Sequence, residues 1–194
     1  MEAIASEQVG PLTVEVHYDE DTCSSPREDD NLGTLAGYSR YTSVFEEQEP
    51  YGVGHAYRAA RYEHGPILAL PVYVRSQSYT IVSETSDWGY ADGIYYTPLA
   101  QVSDEFPGTF AEQVAAAKLA LRSELDALNA YLAGEVYGYI VKGPDGGVIA
   151  SCWGFVGEPE YAATEGEAEA HALVSGLPAW VQQAWAIAGE RVTA

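Results

Sequence analysis

The sequence contains few basic residues. Lysine and arginine together number 9 against 29 aspartates and glutamates, so the 194-residue chain has a formal charge of −20 at pH 7. Only Lys118 and Lys142 are lysines. A strongly negative surface repels nucleic acid and anionic membranes and attracts basic surfaces, and salt weakens both effects. The charge therefore predicts no direct binding of nucleic acid, no membrane association and a basic partner.

Cysteines and long apolar runs are also scarce. Cys23 and Cys152 form no CxxC pair, which predicts two free thiols. The longest apolar run, 67–74, is too short to span a bilayer. The N-terminus shows no basic region followed by an apolar stretch, so we expect no signal peptide and an intracellular protein.

Motifs that would name a reaction are missing from the sequence. No HExxH motif or short metal-ligand spacing connects the four histidines, which are His17, His55, His64 and His171. No glycine-rich loop ends in Lys-Ser or Lys-Thr. Ser39 lies in a segment that lacks the closing glycine of a nucleophile elbow. We therefore predict no catalytic residue, no metal site and no cofactor.

What is present is enough apolar material for a folded core, since hydrophobic residues make up 47% of the chain. Residues 44–65 show no clean period and are interpreted as a loop with one helical turn. Alternating and β-branched segments predict strands at 12–18, 32–41, 67–75, 79–83, 94–97, 136–141 and 148–155. Strands before and after a helix, without strict alternation, predict an α+β fold with a mostly antiparallel sheet.

The helix predicted most clearly covers 110–133. Thr109 and Glu112 have the spacing of a capping box, and Gly134 stands where a helix-terminating glycine belongs. Between Thr109 and Gly134, apolar residues recur at steps of three and four, which gives the helix one apolar stripe. We expect the sheet to pack on this one long central helix. The composition of 158–194 predicts C-terminal helices, one of them at 180–187, so the predicted domains are a core at 1–157 and a helical extension at 158–194 packed on it.

Acidic residues cluster in two parts of the chain, and these are the predicted partner-binding residues: Asp19, Glu20, Asp21, Glu28, Asp29, Asp30, Glu158, Glu160 and Glu165. One interpretation is simple solvation of an acidic protein. The sharper hypothesis is a surface that occupies the basic groove of a nucleic-acid enzyme by mimicking DNA.

The loop at 19–30 also allows a calcium interpretation. Asp19, Asp21 and Asp30 fit the first, third and twelfth places of an EF-hand loop, but Cys23 and Ser24 occupy places that need an oxygen ligand and a glycine. A surface loop is the preferred interpretation. A nonstandard divalent-ion site in a small hydrolase or nuclease is the alternative.

A glycine-bent loop supplies the one candidate cleft, where carboxylates stand beside aromatic residues. Its residues are Asp87, Trp88, Tyr90 and Asp92. The simpler interpretation is a strand connection in which Trp88 covers the core.

Several segments in order resemble a family of bacteriophage and prophage proteins. They are Ser25–Thr34 (SPREDDNLGT), Leu70–Val74 (LPVYV) followed by Ser78, Asp87–Gly89 with Gly93–Tyr96, Tyr131–Ile140 (YLAGEVYGYI) and Ser151–Phe155 (SCWGF). The family has no established activity, so the resemblance carries no catalytic residues to this chain. It implies a phage-encoded accessory protein acting in the cytoplasm of a host bacterium.

Together these features predict a non-enzymatic acidic binding protein that blocks a host defence or nucleic-acid enzyme. A third hypothesis is a minor virion or assembly component. In that case Trp180, Val181 and Trp185 would bury against a neighbouring subunit of a homo-oligomer.

Overall fold

The computed structural model describes residues 2–20, 25–28, 30–38, 45–48, 51–75, 78–81, 91–181 and 183–184. The chain divides into two compact units, Met1–Ser24 with Gly134–Ala194 and Ser25–Ala133. The sequence predicts a different division of the chain, into domains at 1–157 and 158–194, and that division stays a prediction. The α+β class with largely antiparallel sheets is confirmed.

The described elements follow in chain order. They are β1 (Ala5–Val9), β2 (Leu12–Tyr18), a short 3-10 helix (Pro26–Glu28), β3 (Thr34–Gly37), β4 (Glu47–Gln48), α1 (Val53–His64), β5 (Ile67–Arg75), β6 (Ser78–Ile81), β7 (Gly93–Pro98), α2 (Leu99–Glu105), α3 (Phe110–Leu132), β8 (Val136–Lys142), β9 (Val148–Val156) and α4 (Pro159–Gly176).

The first unit is an antiparallel sheet with one helix on it. Its strands lie in the order β1-β2-β8-β9. Alternation in β2 turns Leu12, Val14 and Val16 to one face, and all three are buried. The helix α4 packs on β2 and β8 through its small residues Ala162 and Ala170. The burial of these three residues agrees with the alternation of apolar and polar residues in β2.

The second unit has helices on both faces of a five-stranded sheet of order β4-β3-β7-β5-β6. Tyr95 of β7 packs with Leu121 and Leu125 of α3 on one face. Ile94 and Tyr96 pack against α1 on the other. The central strand β7 is therefore buried on both faces, which explains its almost continuous apolar sequence.

The long helix forms where it was predicted. Thr109 and Glu112 make both hydrogen bonds of a capping box at its start. Gly134, just beyond the end, has a φ of 78°, which a glycine adopts without strain. The strands form two sheets instead of one, and α3 packs on the sheet of the second unit, so it is not a single centre for the whole chain.

The interpretation of 44–65 as a loop was wrong. Residues Val53–His64 form the three-turn helix α1, which buries Ala56 and Ala60 against the sheet. Small residues four apart give only a weak apolar pattern, and the helix gains its stability from packing. The helix α2 and the strand β1 were also not predicted.

In the part of the chain that the structure describes, no helix is both long and apolar enough to cross a membrane. Of the predicted C-terminal helices, α4 is present at Pro159–Gly176. Residues 179–181, 183 and 184 are helical, and the remainder of the predicted helix at 180–187 lies outside the described residues.

Candidate partner-binding surface

The first unit carries a concentrated negative charge. Its described residues contain twelve carboxylates and a single lysine or arginine, Lys142. The carboxylates belong to Glu2, Glu7, Glu15, Asp19, Glu20, Glu135, Asp145, Glu158, Glu160, Glu165, Glu167 and Glu169. Lys142 Nζ lies 2.7 Å from both carboxylate oxygens of Glu15. Within the described residues of this unit, no lysine or arginine is left to neutralise the other carboxylates.

A shallow pocket of about 350 Å³ lies where the N-terminal segment meets the end of β2. A backbone hydrogen bond from Ile4 N to Val16 O, 2.8 Å long, holds the segment against the strand. The lining residues are Glu2, Ala3, Ile4, Tyr18 and Glu20.

The chemistry of this pocket suits a cation. The side chain of Tyr18 is 50% exposed, and its ring lies 5.1 Å from that of Tyr137. Glu2 and Glu20 are exposed, and neither forms a salt bridge within the described residues. Carboxylates beside an aromatic face attract an ammonium or guanidinium group.

The helix α4 presents further carboxylates. Glu158 stands immediately before the helix, and Glu160 lies in its first turn, where the helix dipole favours negative charge. Glu165 is exposed one turn beyond, while the buried Ala162 and Gly166 face the sheet. The helix therefore places its acidic side chains away from the core.

Two carboxylates of this surface interact directly. Glu167 of α4 and Glu7 of β1 share a hydrogen bond between their side chains, which raises the pKa of Glu167 above its usual value. Burial and the negative charge of Glu7 act in the same direction, while His171 opposes them. Close carboxylates retain a proton more tightly because two neighbouring negative charges repel each other.

The two units divide the predicted partner-binding residues between them. Asp19 and Glu20 follow β2 in the first unit, where Glu158, Glu160 and Glu165 also lie. Glu28 and Asp30 belong to the second unit. Asp21 and Asp29 lie outside the described residues. A role of these side chains in binding stays a prediction.

Near Glu28, an arginine organises the start of the second unit. Arg27 donates to Glu46 Oε1 at 2.6 Å, to Tyr95 Oη at 2.6 Å and to the carbonyl of Gly33 at 2.7 Å. Tyr95 in turn donates to Glu124. Burial raises the pKa of Tyr95 far above its usual value, and the hydrogen bond to Glu124 adds to this increase.

Glu124 completes this arrangement from α3. Its carboxylate accepts from the backbone nitrogens of Leu32 at 2.7 Å and Gly33 at 3.2 Å. No local sequence pattern indicates this network, because its members lie far apart in the chain. The hydrogen bonds of Glu124 hold the backbone of Leu32 and Gly33 against α3.

Only one residue of the predicted cleft falls in the described part of the chain. Asp87, Trp88 and Tyr90 lie outside it. Asp92 accepts a hydrogen bond from the backbone nitrogen of Val74 at 2.8 Å. This contact gives the carboxylate of Asp92 a role in joining β5 to the start of β7, and the cleft stays a prediction.

A second cluster that the sequence did not indicate lies on the sheet face opposite α4. His17 Nε2 lies 3.0 Å from Glu15 Oε2, and the hydrogen bonds from Lys142 lower the pKa of Glu15, an effect to which His17 adds. Trp153 packs over Gly138, where an added Cβ would lie 2.1 Å from the indole ring. His17 is 3% exposed, and its Nδ1 has no hydrogen-bond partner within the described residues.

Among the described residues, no group of three or more His, Cys, Asp or Glu side chains could hold a metal ion. Asp21 and Asp29 of the alternative divalent-ion site are outside that set. The metal-dependent alternative therefore stays a prediction.

No protein-family model, curated protein or solved structure matches the chain significantly. The resemblance to phage proteins stays a prediction.

Proposed function

We propose that this chain is a phage-encoded acidic binding protein that occupies a basic surface of a host protein in the bacterial cytoplasm. The partner is a defence or nucleic-acid enzyme whose basic groove normally contacts phosphates. Binding would block that groove, and the chain itself would perform no reaction.

The observation that carries this proposal is the charge of the first unit. The described residues of this unit contain twelve carboxylates and one lysine, and that lysine is already paired with Glu15. Keeping so many like charges on a folded unit costs self-repulsion, which a basic partner relieves. Complementary charge also accelerates association and excludes partners of the wrong sign.

In its more specific form, the proposal is that the acidic surface mimics DNA. The pocket beside Tyr18 supports it, because arginine and lysine side chains that bind phosphates also bind carboxylates and aromatic rings. A groove occupied in this way is unavailable to DNA.

The test is capture from bacterial lysate by the tagged full chain at low and at high salt, with duplex DNA added as a competitor. We expect a basic nucleic-acid-binding protein to be retained at low salt and released by both salt and DNA. Absence of any captured protein at either salt would refute the proposal.

Two triple variants of equal charge separate a specific surface from net charge. Glu158→Gln with Glu160→Gln and Glu165→Gln alters the predicted surface. Glu63→Gln with Asp104→Asn and Glu105→Gln alters exposed carboxylates outside it. We expect capture to weaken at least tenfold more with the first set than with the second, and equal weakening would show that only net charge matters.

A further inference from the structure

The strand β9 is an open edge of the first sheet. Within the described residues it pairs with β8 alone. Its nine residues, VIASCWGFV, contain no charged residue and no proline. Val148, Ile149 and Trp153 are 63%, 42% and 39% exposed. Unpaired backbone groups on such an edge are a template for another strand.

The usual protection of sheet edges is only partly present here. Register shifts next to Gly138 and Lys142 bracket a regular stretch, in which Ala150–Trp153 pairs with Gly138–Val141. The opposite edge strand, β1, is shorter and carries Glu7. Charges within an edge strand prevent unwanted pairing, and β9 has none.

Acidic residues stand instead at both ends of β9. Asp145 lies in the turn that precedes the strand, and Glu158 follows it closely. Glu135 precedes Val136, which pairs with Val156 at the end of β9. If two copies paired antiparallel through β9, Asp145 of one would approach Glu158 of the other. The charges at the strand ends therefore oppose a second copy and favour a segment with basic ends.

We propose that β9 binds an extended segment of the partner by strand addition. The segment has β-branched or apolar residues at its centre and lysine or arginine at both ends. Backbone hydrogen bonds to Ala150–Trp153 supply affinity, and the carboxylates at the strand ends supply selectivity. This inference rests on the proposed basic partner and names the surface that receives it.

The test uses two synthetic nine-residue peptides with alternating threonine and valine at the centre. One has two basic residues at each end, and the other has two glutamates at each end. Binding to the full chain is measured by fluorescence anisotropy in reducing buffer, because Cys152 is an exposed free thiol. We expect the basic-ended peptide to bind at least tenfold more tightly at low salt, and the difference to shrink at high salt.

Amide hydrogen exchange locates the binding site. We expect the basic-ended peptide to protect amides within Ala150–Trp153, while the amides of β1 stay unchanged. Protection elsewhere, or equal binding of the two peptides, would overturn the inference. Sedimentation of the free chain as a dimer whose contact protects these same amides would overturn it in favour of a second copy.

Neighbouring proline variants test the backbone contact. Ser151→Pro and Cys152→Pro are compared because consecutive amides of a strand point to opposite sides. The variant whose amide faces outward is expected to keep the melting temperature and to lose at least tenfold in peptide affinity. Ser6→Pro, on the other edge, should bind the peptide as the unchanged chain does. If the well-folded β9 variant binds normally, the inference fails.

The outcomes separate this inference from the proposed function. Peptide binding at β9 without capture of a basic protein from lysate refutes the function and keeps the strand-binding site. Capture that persists unchanged in the well-folded β9 variant keeps the function and refutes this site.

Discussion

Among single residues, Arg27 makes several of the contacts that join the start of the second unit to the remainder of that unit. Arg27 has only 11% of its side chain exposed, forms a salt bridge with Glu46, and lies over the ring of Tyr95 at 5.2 Å. In the sequence it is one basic residue within an acidic loop. Its contacts with residues 19 and 68 positions away could not be inferred from local pattern.

Replacing Arg27 should destabilise the protein strongly. Arg27→Met leaves Glu46 without its cation and removes the groups that donate hydrogen bonds to Tyr95 Oη and to the carbonyl of Gly33. We therefore expect a loss of about 3 kcal/mol in the free energy of unfolding. Arg58→Met, at an exposed position of α1, is the control, with an expected change below about 0.5 kcal/mol. Urea denaturation followed by circular dichroism measures both. Equal effects would show that the network contributes little.

The pair Glu7–Glu167 should make stability depend on pH. Because the folded state raises the pKa of Glu167, the pair contributes stability below the usual glutamate pKa and loses it as the pH rises through the raised value. Glu167→Gln should therefore raise the melting temperature at pH 7, and this gain should disappear at a pH below the usual value.

The control for this prediction is Glu165→Gln, which removes an exposed carboxylate from the same helix. Thermal melts of both variants are recorded across the acid range. If Glu167→Gln raised the melting temperature equally at every pH, the result would contradict a raised pKa of Glu167.

At the scale of elements, small residues determine how closely helices approach sheets. Gly166 of α4 is buried, and an added Cβ would lie 2.7 Å from Val14 Cγ1 and 2.9 Å from Tyr139 Cγ. A glycine inside a helix looks unfavourable from propensity alone. The close approach of α4 to β2 and β8 gives its physical reason.

Alanine substitutions at two positions of α4 should have opposite effects. Gly166→Ala should cost about 1–3 kcal/mol of stability, because the added methyl group overlaps the sheet. Gly176→Ala should be neutral or stabilising, since no atom lies within 4 Å of its added Cβ. Chemical denaturation of both variants measures the difference. A stable Gly166→Ala protein would mean that α4 lies farther from the sheet.

At the scale of the whole molecule, charge is the dominant property. The chain has a formal charge of −20, and the described residues of the first unit have one lysine for twelve carboxylates. Repulsion among these groups opposes the compact state. It also reduces self-association through the uncharged edge of β9.

Salt should therefore stabilise the folded chain. We expect the melting temperature at pH 7 to rise between about 20 mM and about 500 mM sodium chloride, because added ions screen the repulsion. Potassium chloride should give the same rise if screening is the cause. A fall in melting temperature with salt would mean that attractive ion pairs, such as Lys142 with Glu15, outweigh the repulsion.

Local signals in the amino-acid sequence predict several of the helices and strands. The capping box of Thr109 and Glu112 predicts the start of α3, and alternating or β-branched residues predict the strands β2, β8 and β9. The acidic charge is likewise a property of composition. These features need no distant residue, which is why pattern alone predicted them.

The three-dimensional structure establishes how these elements combine. It placed the strands in two sheets, formed α1 from a segment without a clean period, and assigned Asp19 and Asp30 to different units. It also brought Arg27 to Tyr95 and, among the described strands, placed β9 at the edge of its sheet. Such contacts join residues far apart in the chain, and their stability comes from packing and burial that a local pattern does not encode.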